Sequence, residues 1–460
     1  MSTSDTESPR TQQSPLASKR EPPKGNAPAR GYFPLGYKPA FSQWWASVSP
    51  AVAEHTVMSF VPYLQRPPTH TQTGSAPVSA GTSTLSVNDD PNALSIPVRT
   101  NSINDPHGPR QWHSNLSRGL ERKSRDTLVM LHGYGAGLGF FYKNFEGLSR
   151  VPGWKIYALD MLGMGRSTRP SFKICAKDQA GKIAETESWF IDALEEEWRV
   201  LKKIDKFTLL GHSMGGYMAV AYALKYPGHL NKLILASPVG IPEDPYATSA
   251  AMPEPDESTL ASEFTQDQEA DIVSTSGSRT NGGDNNNFGN MRNKRENNKS
   301  KPEPAKRPLP FWLTYLWDAN VSPFSLVRWA GPLGPRLVSG WTSRRFSHLP
   351  SNENDALHMY AYSLFRQRGS GEYALPYILA PGAFARSPLI RRIHGVGRQP
   401  IPPSPQSPSK FGQKEHGYPI LLMYGENDWM DIAGGYAAEQ VCKEEREKVL
   451  AKASKEEKRA

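Results

Sequence analysis

Between residues 127 and 237 short, continuous apolar runs alternate with longer segments of helical period. "TLVMLHG" (127–133), "KIYALD" (155–160), "FTLLG" (207–211) and "LNKLILAS" (230–237) have strand length and end in glycine or polar residues. That is the pattern of strands buried on both faces of a parallel sheet. "TESWFIDALEEEWRVLKKI" (186–204) gathers Trp189, Phe190, Ala193, Leu194, Trp198 and Leu201 on one face, with acids on the other, and predicts an amphipathic helix. Strands alternating with helices predict an α/β fold, a mainly parallel sheet with right-handed crossovers. After Ile241 the alternation stops. Residues 309–395 read as helices, and the strand signal returns only at "YPILLMYG" (418–425). A helical insertion between two sheet strands predicts a lid over the C-terminal sheet edge, where ligands bind in such folds.

Upstream, Gly31 to Gln65 is dense in aromatic residues. Val57, Phe60, Val61 and Leu64 recur at helical spacing, and Trp44, Val48 and Val52 predict a shorter turn before them, broken near Pro50. Two readings stand: a helix packed on the domain, or an interfacial anchor with Trp44 and Trp45 at headgroup level, where an apolar ring and a wet N–H coexist. Residues 1–30, 244–308 and the Pro-rich 397–416 show no apolar period and cannot bury enough surface to offset ordering entropy. The chain therefore divides into a disordered 1–30, an aromatic 31–65, a core at 95–243, a disordered insertion at 244–308, a lid at 309–396, a Pro-rich loop at 397–416 and a second part of the core at 417–460.

Composition fits this division. Hydrophobic residues make up 37% of the chain, too few for its whole length to be packed core. Two cysteines, Cys175 and Cys442, give neither a disulfide framework nor a metal spacing. No metal or cofactor is expected. No apolar run reaches the ~18 residues of a spanning helix. The net charge of +9 favours anionic surfaces; without a nucleic-acid motif, phospholipid is the expected partner. The first 30 residues lack a secretory apolar region, and their Ser and Arg content faintly resembles a transit peptide, weakened by Asp5, Glu7 and Glu21.

The chemistry gathers at strand ends. "GHSMG" (Gly211, His212, Ser213, Met214, Gly215) follows an apolar strand and precedes an apolar helix. This is the setting of a nucleophile elbow, which presents a serine hydroxyl at a helix N-terminus. "LHGYGAG" (131–137) closes the first strand. The backbone N–H groups of Tyr134 and Met214 are expected to form an oxyanion hole. His132 sits in that turn and is not expected to act as base. Asp160, in "ALDMLGMGRST" (158–168), is expected to tether loops. In "YGENDWMD" (424–431), Asp428 is the expected triad acid and Asp431 the alternative; either could cap the following helix.

These pieces resemble the α/β-hydrolase branch that contains the lipid-droplet lipase co-activator, the N-acylphospholipid hydrolase and fungal mitochondrial cardiolipin deacylases. The resemblance runs through "LHGYGAGLGFF", "LLGHSMGGYMAVAYALKYP", "LILASPVGIPEDP", "SPFSLVRWAGPLGP" and "YGENDWMD". It implies an acyl hydrolase on glycerophospholipids, with cardiolipin as the expected substrate, Ser213 as nucleophile, Asp428 as acid and an acyl-enzyme intermediate. It also implies a peripheral association with a membrane or droplet surface. The expected compartment is intracellular, the mitochondrial inner membrane first, with cytosol or lipid droplet as alternatives. The aromatic segment resembles the branch's membrane-associating N-terminus.

In that branch a histidine follows the last strand in H-x-x-x-x-D, and here no histidine lies beyond His416. His416 precedes the strand that delivers Asp428, His348, His358 and His394 fall in the lid, and His212 neighbours the nucleophile. None is placed as the base. The expectation is that the last strand, histidine and helix are missing from this sequence. Rival readings are a catalytically incompetent lipid-binding co-activator, a lysophospholipid acyltransferase and a soluble small-ester hydrolase.

Overall fold

The structure, a computed structural model, describes residues 33–61, 113–114, 126–151, 153–243, 319–380, 384–402, 414–425 and 428–452. The expected disordered segments at 1–30 and 244–308, Leu64 of the aromatic segment and the start of the lid to residue 318 lie outside the described residues.

Among the described residues six strands make one sheet: β1 (His113–Ser114), β2 (Asp126–Leu131), β3 (Trp154–Asp160), β4 (Phe207–His212), β5 (Leu230–Ala236) and β6 (Ile420–Met423), in the order β1-β3-β2-β4-β5-β6. The last five run parallel, and two-residue β1 adds antiparallel to the edge of β3. The four apolar runs of the first half are thus the strands expected. Leu128 to Leu131 in β2 and Ile156 to Asp160 in β3 are all buried, as strands covered on both faces require. β6 ends the order of the described strands, and its Leu421 and Met423 are exposed.

The helix expected at 186–204 begins earlier. α4 spans Gln179–Asp192, with the Asp178 side chain capping it by accepting from Gly181 N–H at 2.9 Å. It continues through a π-helical stretch, Ala193–Arg199, into α5 (Val200–Lys202). The stretch turns buried Glu195 toward Arg199 and the Tyr222 hydroxyl, which donates to it at 2.6 Å. α6 (Met214–Lys225) is buried from Met214 to Ala223, consistent with its lack of a polar face. Between β2 and β3 lies α3 (Tyr142–Ser149).

The aromatic N-terminal segment forms two helices, α1 (Tyr37–Ala46) and α2 (Pro50–Met58). Pro50 is the first residue of α2 rather than only a breaker, because a proline at N1 forfeits no helical hydrogen bond. α2 packs on the domain through Ala53, Val57 and Met58, and buried Glu54 accepts from Arg166 at 2.8 Å. The helical lid comprises α7 (Pro323–Trp329), α8 (Gly334–Arg345), α9 (Ser351–Phe365) and α10 (Leu375–Ile378). α9 lies against both α2 and α8. α11 (Ile432–Lys452) follows β6.

Candidate active site

β4 stops at His212, α6 starts at Met214, and Ser213 alone makes the corner at φ 53°, ψ −119°. That conformation is strained for a residue with a Cβ. Four backbone hydrogen bonds hold it. Ser213 N–H donates to Ala236 at 3.1 Å, and its carbonyl accepts from Gly216 (2.9 Å), Val239 (3.2 Å) and Tyr217 (3.3 Å). A Cβ on Gly211 would lie 2.2 Å from the Gly215 carbonyl oxygen, and one on Gly215 would lie 2.5 Å from that of Leu131. Only glycine fits at either position. The corner stands at the C-terminal edge of a central strand, and the Ser213 hydroxyl makes no hydrogen bond to any described residue.

The turn after β2 lies against this corner. A Cβ on Gly133 would be 3.1 Å from Ser213 Cβ and 3.4 Å from both Ser213 Oγ and His212 Nδ1. His132 fixes the turn from beneath. Its Nε2 accepts the Met161 N–H at 3.0 Å, so Nδ1 carries the proton and donates to the Gly133 carbonyl at 2.7 Å. Burial holds this imidazole below its ordinary pKa, against the pull of Asp160. It is a neutral strut. The Tyr134 ring stacks on Phe324 of the lid at 5.3 Å, and Phe324 stacks on Phe365 at 4.5 Å.

Asp160 is fully buried and ties three loop positions together, as its place in the Gly-rich loop predicts. Oδ1 accepts from Leu138 N–H at 2.7 Å, Oδ2 from Arg166 N–H at 2.8 Å, and its carbonyl from Ser167 Oγ at 2.6 Å. The same loop meets the lid through Arg169, which donates to Gly163, Gly165, Arg368 and the Gln367 side chain at 2.9–3.1 Å. A half-open pocket lies between the loops and the lid, lined by Gly135, Gly165, Arg169, Phe324, Phe365 and Glu372 among others; Ser213 is not part of its wall.

Beyond β6 the two candidate acids separate by role. Asp431 caps α11, its Oδ1 accepting from Ala433 N–H at 2.9 Å. Asp428 does not cap. Its Oδ2 accepts from Ser237 Oγ at 2.5 Å and Gly425 N–H at 2.8 Å, and its Oδ1 from Met430 N–H at 3.0 Å. Ser237, at the end of β5, is a residue no sequence motif singled out. Burial lowers the His212 imidazole to about 4, Arg345 adding to the effect and Asp428 opposing it. Among the described residues no histidine hydrogen-bonds to Ser213 or Asp428. His358, buried in the lid, instead bridges Thr342 and Gln43. No group of His, Cys, Asp and Glu among the described residues is gathered to hold a metal ion.

A parallel α/β sheet, a serine on a strained strand-to-helix corner and a helical lid over the same edge define a class, the α/β hydrolases. Over residues 126–455 the chain matches the alpha/beta hydrolase fold family, and it belongs to that family. It is 33% identical over 332 residues to a 1-acylglycerol-3-phosphate O-acyltransferase of Arabidopsis thaliana, covering 70% of this chain and 60% of that protein. It is 33% identical over 295 residues to the 1-acylglycerol-3-phosphate O-acyltransferase ABHD5 of Mus musculus, covering 63% of this chain and 64% of that one. With the (lyso)-N-acylphosphatidylethanolamine lipase of Mus musculus it shares 28% identity over 335 residues, 72% of each chain. The chain thus spans less than two thirds of the length of the first two relatives.

Proposed function

We propose that this chain is a serine acyl hydrolase acting on glycerophospholipid esters. The observation that carries the reading is Ser213, held at φ 53° between β4 and α6 with glycine enforced on both sides. In this reading Ser213 Oγ attacks the acyl carbonyl carbon and loses its proton to an imidazole base oriented by Asp428, a base that no histidine of this sequence is placed to provide. The carbonyl oxygen becomes an oxyanion opposite the N–H groups of Tyr134 and Met214, the latter at the start of a helix where N–H groups have no intrahelical partner. The C–O bond to the lysophospholipid then breaks, and its alkoxide takes the proton. Water attacks the acyl-serine in turn, releasing the fatty acid and free Ser213.

A second reading is favoured by the names of the relatives. Two are acyltransferases and one a lipase. With a lysophospholipid hydroxyl in place of water, the same acyl-serine would yield a new diacyl lipid. Cardiolipin as substrate and the mitochondrial inner membrane as location rest on the resemblance of the motifs and on the net charge of +9.

The test is a fluorophosphonate probe on the full chain, with Ser213→Ala as control, followed by product analysis from radiolabelled phospholipid with and without lysophospholipid. Labelling that vanishes in the variant supports the nucleophile. A well-folded protein that leaves the probe unreacted would sink the reading in favour of a non-catalytic lipid-binding role.

A further inference from the structure

We infer that Glu54, on the N-terminal helix α2, is a positioning residue for the candidate active site. Through its ion pair with Arg166 it sets the Gly-rich loop 161–168, and through that loop the turn that carries the Tyr134 N–H. The inference rests on the acyl-hydrolase reading above and adds a part to the apparatus that reading uses.

A carboxylate on the packed face of a helix needs a physical reason. Of the two N-terminal helices, α1 leaves Trp45 exposed and Trp44 half-buried, whereas α2 turns inward. Glu54 is 2% exposed, on the helix that also buries Ala53, Val57 and Met58. Taking an acid out of water is costly unless a cation meets it. Arg166, 112 positions later, meets it: its Nη1 donates to Glu54 Oε1 at 2.8 Å, and its own side chain is largely buried. Removing either partner strands the other charge, so the pair fixes where the loop stands relative to α2.

The loop calls for such a tie. Residues 161–168 belong to no helix or strand, and two of them, Gly163 at φ 71° and Gly165 at φ 51°, are left-handed glycines. A Cβ on Gly165 would overlap the Asp160 carboxylate, so the loop backbone lies directly on that buried acid. Arg166 N–H donates to Asp160 Oδ2 at 2.8 Å. The residue that Glu54 holds by its side chain thus holds Asp160 by its backbone.

From there hydrogen bonds run on to the Ser213 corner. Asp160 Oδ1 accepts Leu138 N–H at 2.7 Å, at the far end of the turn after β2. At the near end, Met161 N–H donates to His132 Nε2 at 3.0 Å, and His132 Nδ1 donates to the Gly133 carbonyl at 2.7 Å. Tyr134 lies between these two fixed points, and Gly133 abuts Ser213. α2 also touches the turn Leu138–Phe141 directly and lies along α9, whose Tyr360 hydroxyl meets Gly139 N–H at 3.2 Å.

Oxyanion donors stabilise the transition state only when they are already aimed, and a misplacement on the order of 1 Å costs rate rather than binding. Neither Glu54 nor Arg166 lines the pocket between the loops and the lid. The pair acts by where it holds the loop, with no contact to the reacting atoms.

The test labels the full chain with a fluorophosphonate over a range of probe concentrations. Glu54→Gln leaves a buried cation without its acid and should lower the melting temperature. The double variant Glu54→Gln/Arg166→Met removes both charges at similar size and should regain most of that stability. Both should label Ser213 about tenfold more slowly at saturating probe, with the half-saturating concentration unchanged. A merely structural pair predicts that the double variant recovers labelling together with stability, and that result overturns the inference. Amide exchange needs no reactive serine and separates the inference from the reading beneath it. Exchange at 161–168 and 133–139 should rise in the double variant, while β4 stays as protected as in wild type. If wild type leaves the probe unreacted, the hydrolase reading falls and exchange alone decides whether α2 sets the loop. Unchanged exchange there overturns it.

Discussion

Ser237 Oγ donates to Asp428 Oδ2 at 2.5 Å, across 191 positions of sequence. Ser237 reaches the carboxylate from a left-handed backbone conformation, φ 44°, at the end of β5, with its own N–H held by the Met423 carbonyl at 2.7 Å. A group that orients the acid acts on the proton-transfer step rather than on lipid binding. In a protein that supplies the histidine base, Ser237→Ala should therefore lower kcat by about tenfold and leave KM unchanged, the loss of one charge-assisted hydrogen bond. Ser237→Gly separates orientation from strain. It relieves the positive φ, so its melting temperature should exceed that of the alanine variant, but its kcat should be equally low. Steady-state kinetics and thermal denaturation of the three proteins check this; a glycine variant with full kcat overturns it.

The glycines of the chain give opposite expectations that one denaturation series can test. At Gly215 an added Cβ meets the backbone of Leu131 and His132 at 2.5 and 2.6 Å, with no flexible side chain to give way. Gly215→Ala should lose about 3 kcal/mol or more and abolish labelling of Ser213. At Gly147, inside α3, a Cβ meets nothing within 4 Å. Gly147→Ala should raise the unfolding free energy by about 0.5–1 kcal/mol, measured by urea denaturation.

What the sequence made legible follows from range. The buried strands β2 to β5 showed because a strand covered on both faces is a continuous apolar run, and the corner at Ser213 showed because its glycines are local necessities. The apolar period of α4 becomes visible seven residues after the helix begins, because its first turns, from Gln179, carry little apolar signal; the start is marked instead by Asp178, whose side chain caps Gly181. Asp428 and Asp431 could not be separated by spacing, since both follow the same strand. Only the backbone shows Asp431 capping α11 while Asp428 turns to Ser237. Ser237, the Arg166–Glu54 pair and the Arg169 clasp had no sequence signal, each being made between segments far apart in the chain.

Arg169 joins the second Gly-rich loop to the lid through one guanidinium. Its four acceptors are three carbonyls and the Gln367 side chain, and Gln367 returns a hydrogen bond to Gly165 at 2.8 Å. Burial lowers this guanidinium to about 10, with Glu372 and Asp160 opposing, so it stays charged at neutral pH. Arg169→Ala should cost about 2–4 kcal/mol, since buried carbonyls lose their donors. Arg169→Lys should rescue little, because an ammonium cannot reproduce the planar fork. Hydrogen exchange should rise between Gln367 and Tyr373 in both variants. An unchanged exchange pattern there would show that the lid is held elsewhere.

Acid should loosen the protein through its buried histidines before its carboxylates are titrated. Burial lowers His212 and His358 to about 4 in the folded chain, against about 6.5 when unfolded. Both are neutral when folded, so between those values the unfolded state binds more protons, and stability falls as pH falls. The contribution is complete above about pH 6.5 and drains away toward pH 4, each histidine adding a slope that approaches ~1.4 kcal/mol per pH unit. His358 can be removed without touching the Ser213 corner. It sits in the lid between Thr342 and Gln43, and glutamine keeps a donor and an acceptor there. His358→Gln should flatten the dependence of unfolding free energy on pH between 6.5 and 5 by about one proton, read from urea denaturation across that range. A slope equal to that of wild type would mean that His358 is already charged when folded.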